Sequence, residues 1–249
     1  MSSWIKYIII LLLSKYHPCQ VKRHNYRAKL SSNRLLPEKK FHAKINSKSY
    51  WDNRFKSNDW KDCNGESQTV DFINASLLQI PLHLKEDILN VKNIVDYGCA
   101  LGDGTNILQT KFPLSKIVGL DISSEGLKIA RKKFPSIQFF EAKDLKKLSP
   151  FDLFYSSNTF EHIKDPFKEL LEISQYIKKY LIIVVPYNEL NPYAEHVSLF
   201  NEQNIPQIIG DFKLEYFKHY SMVETLGTDA TYYIGFDYEQ FIFIYKKYE

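Results

Sequence analysis

The sequence predicts an α/β protein built on a doubly wound sheet of about seven strands, mostly parallel, with an antiparallel strand at the C-terminal end. Three observations predict it. From Asn93 onward, short apolar runs alternate with segments of helical period, the pattern of parallel strands joined by crossover helices. A cluster of small residues, Gly98, Ala100, Gly102 and Gly104, follows the first of those runs and opens a helix. The last two apolar runs, Lys213–Tyr220 and Gln240–Tyr245, have no convincing helix between them, which predicts an antiparallel hairpin at the sheet edge connected through Gly227 to Asp237.

The elements follow in order. Asn93–Asp96 is a short buried strand, and the small-residue loop after it leads into a helix ending near Lys111. Lys116–Asp121 is the second strand; Ser123 or Ser124 then caps a helix to Phe134, whose Leu127, Ile129, Ala130 and Phe134 form one apolar face. Ile137–Glu141 and Phe151–Ser156 are the third and fourth strands. Asp165 caps the next helix with Pro166 at its first position and Leu170, Leu171, Ile173 and Ile177 along its face. Tyr180–Val185 is the fifth strand, ended by Pro186, and upstream Gln68–Leu84 reads as one helix beside the cleft. Right-handed crossovers then put that cleft at the carboxyl ends of the strands.

Composition narrows the function classes. The chain has 249 residues, 44% of them hydrophobic and 25% charged, enough for one main domain with a full core. Its net charge of +4 hides an asymmetry: residues 1–48 hold eleven Lys/Arg against the single acid Glu38, or +10, which leaves −6 for the remainder. A mildly acidic folded part argues against nucleic acid as an obligate substrate. Cys19, Cys63 and Cys99 form no CxxC pair, so neither a disulfide framework nor a structural zinc site is expected, and a reducing compartment fits best.

The first 47 residues read as a separate basic leader, with the folded domain expected over 48–249. Tyr7–Leu13 is an unbroken apolar run flanked by Lys6 and Lys15, too short for a bilayer, which takes about 20 apolar residues. The segment suits a flexible or weakly membrane-associating leader and a targeting peptide equally well. Localisation is accordingly expected to be cytoplasmic, membrane-peripheral or organelle-targeted.

The chemistry concentrates at Asp96-Tyr-Gly-Cys-Ala-Leu-Gly-Asp-Gly104. Small residues there let backbone N–H groups approach a ligand closely, and the helix start favours a carboxylate or phosphate. A dinucleotide fingerprint would need glycines at offsets 0, 2 and 5, where this chain has Gly98, Ala100 and Asp103, which disfavours a nicotinamide oxidoreductase. Two more acids follow successive strands, Asp121 after the second and Asp144 after the third.

With Asp96, Gly98, Ala100 and Gly102 so spaced, the chain resembles the class I S-adenosylmethionine-dependent methyltransferases, departing from their first motif only by Ala100 for the middle glycine. Ser156, Ser157, Glu161, His162, Asp165 and Pro166 extend the resemblance, as does the aromatic segment Tyr50-Trp51-Asp52-x-Arg54. The resemblance implies a Rossmann-like fold and S-adenosyl-L-methionine as cofactor. It places Asp96, Gly98, Cys99, Ala100 and Gly102 at the cofactor's amino-acid end and Asp121 and Ile122 at its ribose. Asp144 and Leu145 then stand at the adenine, with Asn158 at the end of the fourth strand.

Methyl transfer from a sulfonium needs alignment and at most one base. His162 and His196 are the candidates, each with an ordinary pKa near 6.5. Some members of the family that the chain resembles carry a Glu-x-x-Glu-His metal set with a further His; Asn158 stands where that set would begin, so no metal is expected at Glu161, His162 and His196. Tyr187, Tyr193, Tyr232 and Tyr233 are the expected acceptor-pocket aromatics. The expected acceptor is an oxygen or nitrogen of a small polar molecule, a sugar or glycan intermediate first; the competing reading is a non-catalytic cofactor-binding regulatory or scaffold module.

Overall fold

The computed structural model describes residues 43–189, 192–227 and 239–248. The basic leader up to residue 42, with its apolar run, lies outside the described residues, as do Tyr232 and Tyr233. Four helices come first: α1 (Lys48–Lys56), α2 (Asp59–Asp62), α3 (Gly65–Leu78) and α4 (Leu82–Leu89). The single helix expected over 68–84 is two. Pro81 lacks the N–H that would carry the helix through, and it stands at the N-cap of α4.

The alternating part follows as β1 (Asn93–Tyr97), α5 (Asp103–Lys111), β2 (Lys116–Asp121), α6 (Ser124–Lys133), β3 (Gln138–Glu141) and α7 (Leu145–Leu148). Then come β4 (Phe151–Ser157), α8 (Pro166–Ser174), β5 (Ile177–Pro186), β6 (Ile208–Ile209), β7 (Phe212–Ser221), α9 (Met222–Leu226) and β8 (Glu239–Lys247). They form one eight-stranded sheet in the order β3-β2-β1-β4-β5-β8-β7-β6. The first five strands of that order are mutually parallel, and β8 is antiparallel to both neighbours.

The C-terminal pairing forms as expected, but not at the edge. Strand β8 inserts between β5 and β7, and the two-residue β6 is outermost. The reason is in its sequence: Phe241, Ile242, Phe243, Ile244 and Tyr245 are all fully buried, as a strand covered on both faces requires. The short helix α9, absent from the sequence reading, starts with Ser221 accepting from the Glu224 N–H.

Side-chain alternation divides the core between the two faces. Val95, Phe154, Leu181, Ile183, Phe241 and Phe243 pack on one side with Leu170 and Ile173 of α8. Ile94, Leu153, Ile182, Val184, Ile242 and Ile244 pack on the other with Ile73, Leu84, Ile88 and Leu108. Register then aligns the strand ends: Asp96 lies beside Gly119 and Tyr155, and Asp121 beside Glu141. The carboxylates of β1 and β2 therefore meet at one end of the sheet. Among the described residues no helix is long and apolar enough to cross a membrane. The cysteine reading is corrected at one position, since Cys63 is disulfide-bonded.

Candidate active site

A cavity of about 210 Å³ opens at the carboxyl ends of β1, β2 and β4. Its floor is the small-residue loop, where Gly98 and Gly102 both take φ of +84° and Ala100 takes +47°. A side chain at Gly98 would come within 2.0 Å of the Thr159 hydroxyl, so close approach as well as conformation requires glycine there. Ala100 occupies the left-handed region that the resemblance would fill with glycine, at a modest conformational cost.

Asp121 anchors this end. One carboxylate oxygen accepts the Ala100 N–H at 2.8 Å and the other accepts the Ser123 N–H at 2.8 Å. Burial pushes its pKa up to about 6 in spite of those donors. Asp96 lies deeper, accepts the Thr105 hydroxyl at 2.6 Å, and is pushed by burial to about 7. It does not line the cavity; it ties the end of β1 to the first turn of α5.

The sequence-predicted residues divide accordingly. Gly98, Ala100, Asp121, Ile122, Asn158 and His162 line the cavity. Cys99 is buried among Leu127, Ala130 and Phe139, and Gly102 is covered by Phe139. Asp144 sits in a 3-10 turn paired with Lys147 at 3.0 Å and Leu145 is in the core, while Ala142 faces the cavity from that segment. Tyr187 stacks on His219 and donates to Glu202 away from the cavity, and Tyr193 lies edge-on to His196.

Helix α1 walls the opposite side. Ser47 caps it, and Asp52 reaches across to α6, accepting the Ser123 hydroxyl at 2.6 Å and the Glu125 N–H at 3.1 Å. Trp51, Phe55 and Trp60 face the cavity. Behind them the buried Arg54 donates to Asp59 at 2.9 Å and to Glu195 at 2.6 Å, and Tyr50 also donates to Glu195. Burial opposes the Arg54 charge, but Glu195, Tyr50 and Asp59 outweigh it and its pKa is raised.

That network fixes the loop carrying His196, which packs against His162 and is not among the residues lining the cavity. The 193–198 loop docks on the turn after β4 through Val197 and Ser198 N–H groups donating to the Glu161 carbonyl. The His162 and His196 rings lie 5.1 Å apart, and Trp51 is 5.0 Å from His162. His162 is held well below its ordinary value, at about 4, by burial and by His196. Burial opposes the charge on His196, but Glu189 and Glu161 outweigh it and its pKa is raised.

Residues 71–219, more than half of the chain, match the family of methyltransferase domains. This chain is a class I, S-adenosylmethionine-dependent methyltransferase domain. The trans-aconitate 2-methyltransferase of Afipia carboxidovorans is 24% identical over 121 residues, covering 48% of this methyltransferase and 47% of the relative. That of Escherichia coli (strain Crooks) is 29% identical over 138 residues, covering 52% and 51%. The methyltransferase thus spans about half the length of the curated relatives it matches. Its fold is shared with the magnesium protoporphyrin IX methyltransferase of Synechocystis PCC 6803 solved with bound SAM (TM-score 0.55, 15% identity, 84% and 100% of the two chains). The plantazolicin methyltransferase BpumL, solved with SAH and a pentazolic analog, is similar (TM-score 0.54, 15% identity, 82% and 97%).

Several cavity residues of the methyltransferase had no signal in the sequence. Glu169 of α8 lines the cavity and accepts the Tyr97 hydroxyl at 2.8 Å across 72 positions. Ala142 arrives likewise through tertiary packing, whereas Thr159 and Ile163 stand in the turn after β4 beside Asn158 and His162. Trp60 had a partial signal, standing in an aromatic-rich stretch that begins at Tyr50.

Proposed function

We propose that this methyltransferase binds S-adenosylmethionine against the Gly98–Gly102 loop and Asp121 and transfers its methyl group to an oxygen or nitrogen of a small polar acceptor. The observation that carries the reading is the single cavity joining Gly98, Ala100 and Asp121 to Trp51 and His162. When bound, the cofactor supplies an already activated methyl on a sulfonium. The donor set suits it: a buried carboxylate held in place by backbone N–H groups, Ala100 and Ser123 among them, is an acceptor suited to ribose hydroxyls. Ile122 covers the ribose, Asp96 and Cys99 stiffen the loop, and Gly102 starts α5. The adenine end lies toward Ala142, with Asp144 and Leu145 fixing the segment and Asn158 closing the fourth strand.

The acceptor end is the His162 and His196 corner, where the acceptor's proton is handled. Trans-aconitate, named for the curated relatives, offers only oxygen as a methylatable heteroatom, which favours oxygen here. Among the described residues, however, no Lys or Arg lines the cavity, and a tricarboxylate would need one. A neutral hydroxylated acceptor of sugar or glycan type is the better fit. Calorimetry with S-adenosylmethionine tests the donor side, and no binding at millimolar concentration overturns the reading. A screen of sugars and polycarboxylic acids for S-adenosylhomocysteine release tests the acceptor side. His196→Ala is expected to retain cofactor affinity and lower turnover about 100-fold or more; unchanged turnover removes His196 from the mechanism.

A further inference from the structure

We propose that Glu161, His162 and His196 form a site for a divalent transition-metal ion of the zinc class, with an open coordination position toward the cavity. The sequence pattern argues against a metal because position 158 is Asn. Three protein ligands are nevertheless enough for an ion that keeps one position for a bound oxygen. The carboxylate of Glu161 and one ring nitrogen of each histidine lie within 4.8 Å of one another. Around an ion with bonds of about 2.0–2.1 Å, ligand atoms in a tetrahedron stand roughly 3.4 Å apart.

Two independent features mark the cluster as built for a cation. The first is the orientation of the rings. His162 Nδ1 lies 3.1 Å from the Glu195 carbonyl, which can only accept, so Nδ1 carries the proton and the Nε2 lone pair is left over. His196 Nδ1 lies 2.6 Å from the Glu189 carboxylate and is fixed in the same sense. Among the described residues neither Nε2 takes a hydrogen bond; that of His162 stands 3.9 Å from Glu161 Oε1, too far for one. An imidazole that ligates a metal is held in this way, its other N–H given to a carbonyl or carboxylate that sets tautomer and direction.

The second feature is Glu161 itself. It is 1% exposed, and its Oε2 is buried without a hydrogen-bond partner. A buried carboxylate oxygen left unpaired is costly, and a cation shared with two imidazole nitrogens would satisfy it. Two nitrogens and one oxygen suit zinc, cobalt, iron or nickel rather than magnesium or calcium, which take oxygen ligands.

The role of the open position rests on the methyl-transfer reading. His162 lines the cavity, so an acceptor hydroxyl could bind the ion beside the methyl donor. The ion would lower that hydroxyl's pKa; as its proton leaves to solvent, the oxygen would bond to the methyl carbon while the carbon–sulfur bond of S-adenosylmethionine breaks and S-adenosylhomocysteine leaves. His162 and His196 would then act as ligands in place of a free base.

The test uses the full chain, stripped with chelator and titrated with Zn²⁺ by calorimetry and with Co²⁺ by visible absorption. One ion per chain is expected, with cobalt bands of a low-coordinate nitrogen and oxygen site. Glu161→Gln and His196→Ala should weaken binding about 100-fold or more, and Glu189→Gln, which disturbs only the orientation of His196, about 10- to 100-fold. His219→Ala, outside the cluster, should bind as the parent does. Absence of cobalt bands, or bands unchanged in Glu161→Gln and His196→Ala, overturns the site. S-adenosylmethionine binding measured on the same samples separates the two readings: an ion bound without cofactor affinity supports the site and removes its role in transfer, whereas cofactor affinity and chelator-resistant turnover without a bound ion overturn the site alone.

Discussion

At the scale of single residues, Asp121 ties the proposed donor end of the cavity to pH. Its pKa is raised to about 6 in the folded chain, against about 3.9 when unfolded. The folded state therefore holds the proton longer, and this carboxyl's contribution to stability falls as pH rises from about 4 to 6. A ligand that donates two hydroxyls to the ionised form pulls the pKa back down, so binding must be tighter above about pH 6 than below it. Calorimetry should find S-adenosylmethionine roughly tenfold weaker at pH 5 than at pH 7, and Asp121→Asn should flatten that profile while weakening binding throughout. A profile unchanged in the variant removes Asp121 from the donor site. Asp121 was legible because it closes a strand of unmistakable pattern. Glu169 was not, because no local periodicity points a residue of one crossover toward a cavity formed by others.

At the scale of elements, the Tyr50-to-Trp60 segment and the 193–198 loop act together. Trp51 and Phe55 stack, Arg54 sits over the rings of Trp51 and Trp60, and its guanidinium joins Asp59 to Glu195. Removing one partner from a buried ion pair typically costs about 3–5 kcal/mol, because the remaining charges stay buried. Arg54→Ala should lower unfolding stability by about that much in urea titration, and a change under about 0.5 kcal/mol would show the network to be idle. Arg54→Lys should recover only part of the loss, since an ammonium cannot bridge both carboxylates in the same fork. The aromatic segment stood out in the sequence. Its anchor did not, for Arg54 and Glu195 are 141 positions apart and each reads alone as an exposed charge.

At the scale of the whole molecule, the parallel half of the sheet was legible almost strand by strand from Asn93 to Pro186, although Ile177, read as the end of the helix from Asp165, opens β5 instead. The position of the last strand was not, because pairing order among antiparallel strands leaves no mark in local pattern. Burial on both faces makes β8 sensitive: Phe243→Ala should cost about 3–5 kcal/mol in the same urea titration, whereas a loss below about 1 kcal/mol would be that of a half-exposed edge strand. The insertion of β8 between β5 and β7 also orders events in time. The ribosome makes β8 after every other strand of the sheet, so until residues 239–247 emerge β5 and β7 each present an unpaired row of amides and carbonyls. A nascent chain stalled before that point would carry two sticky edges and an unfinished core, the state in which aggregation competes with folding.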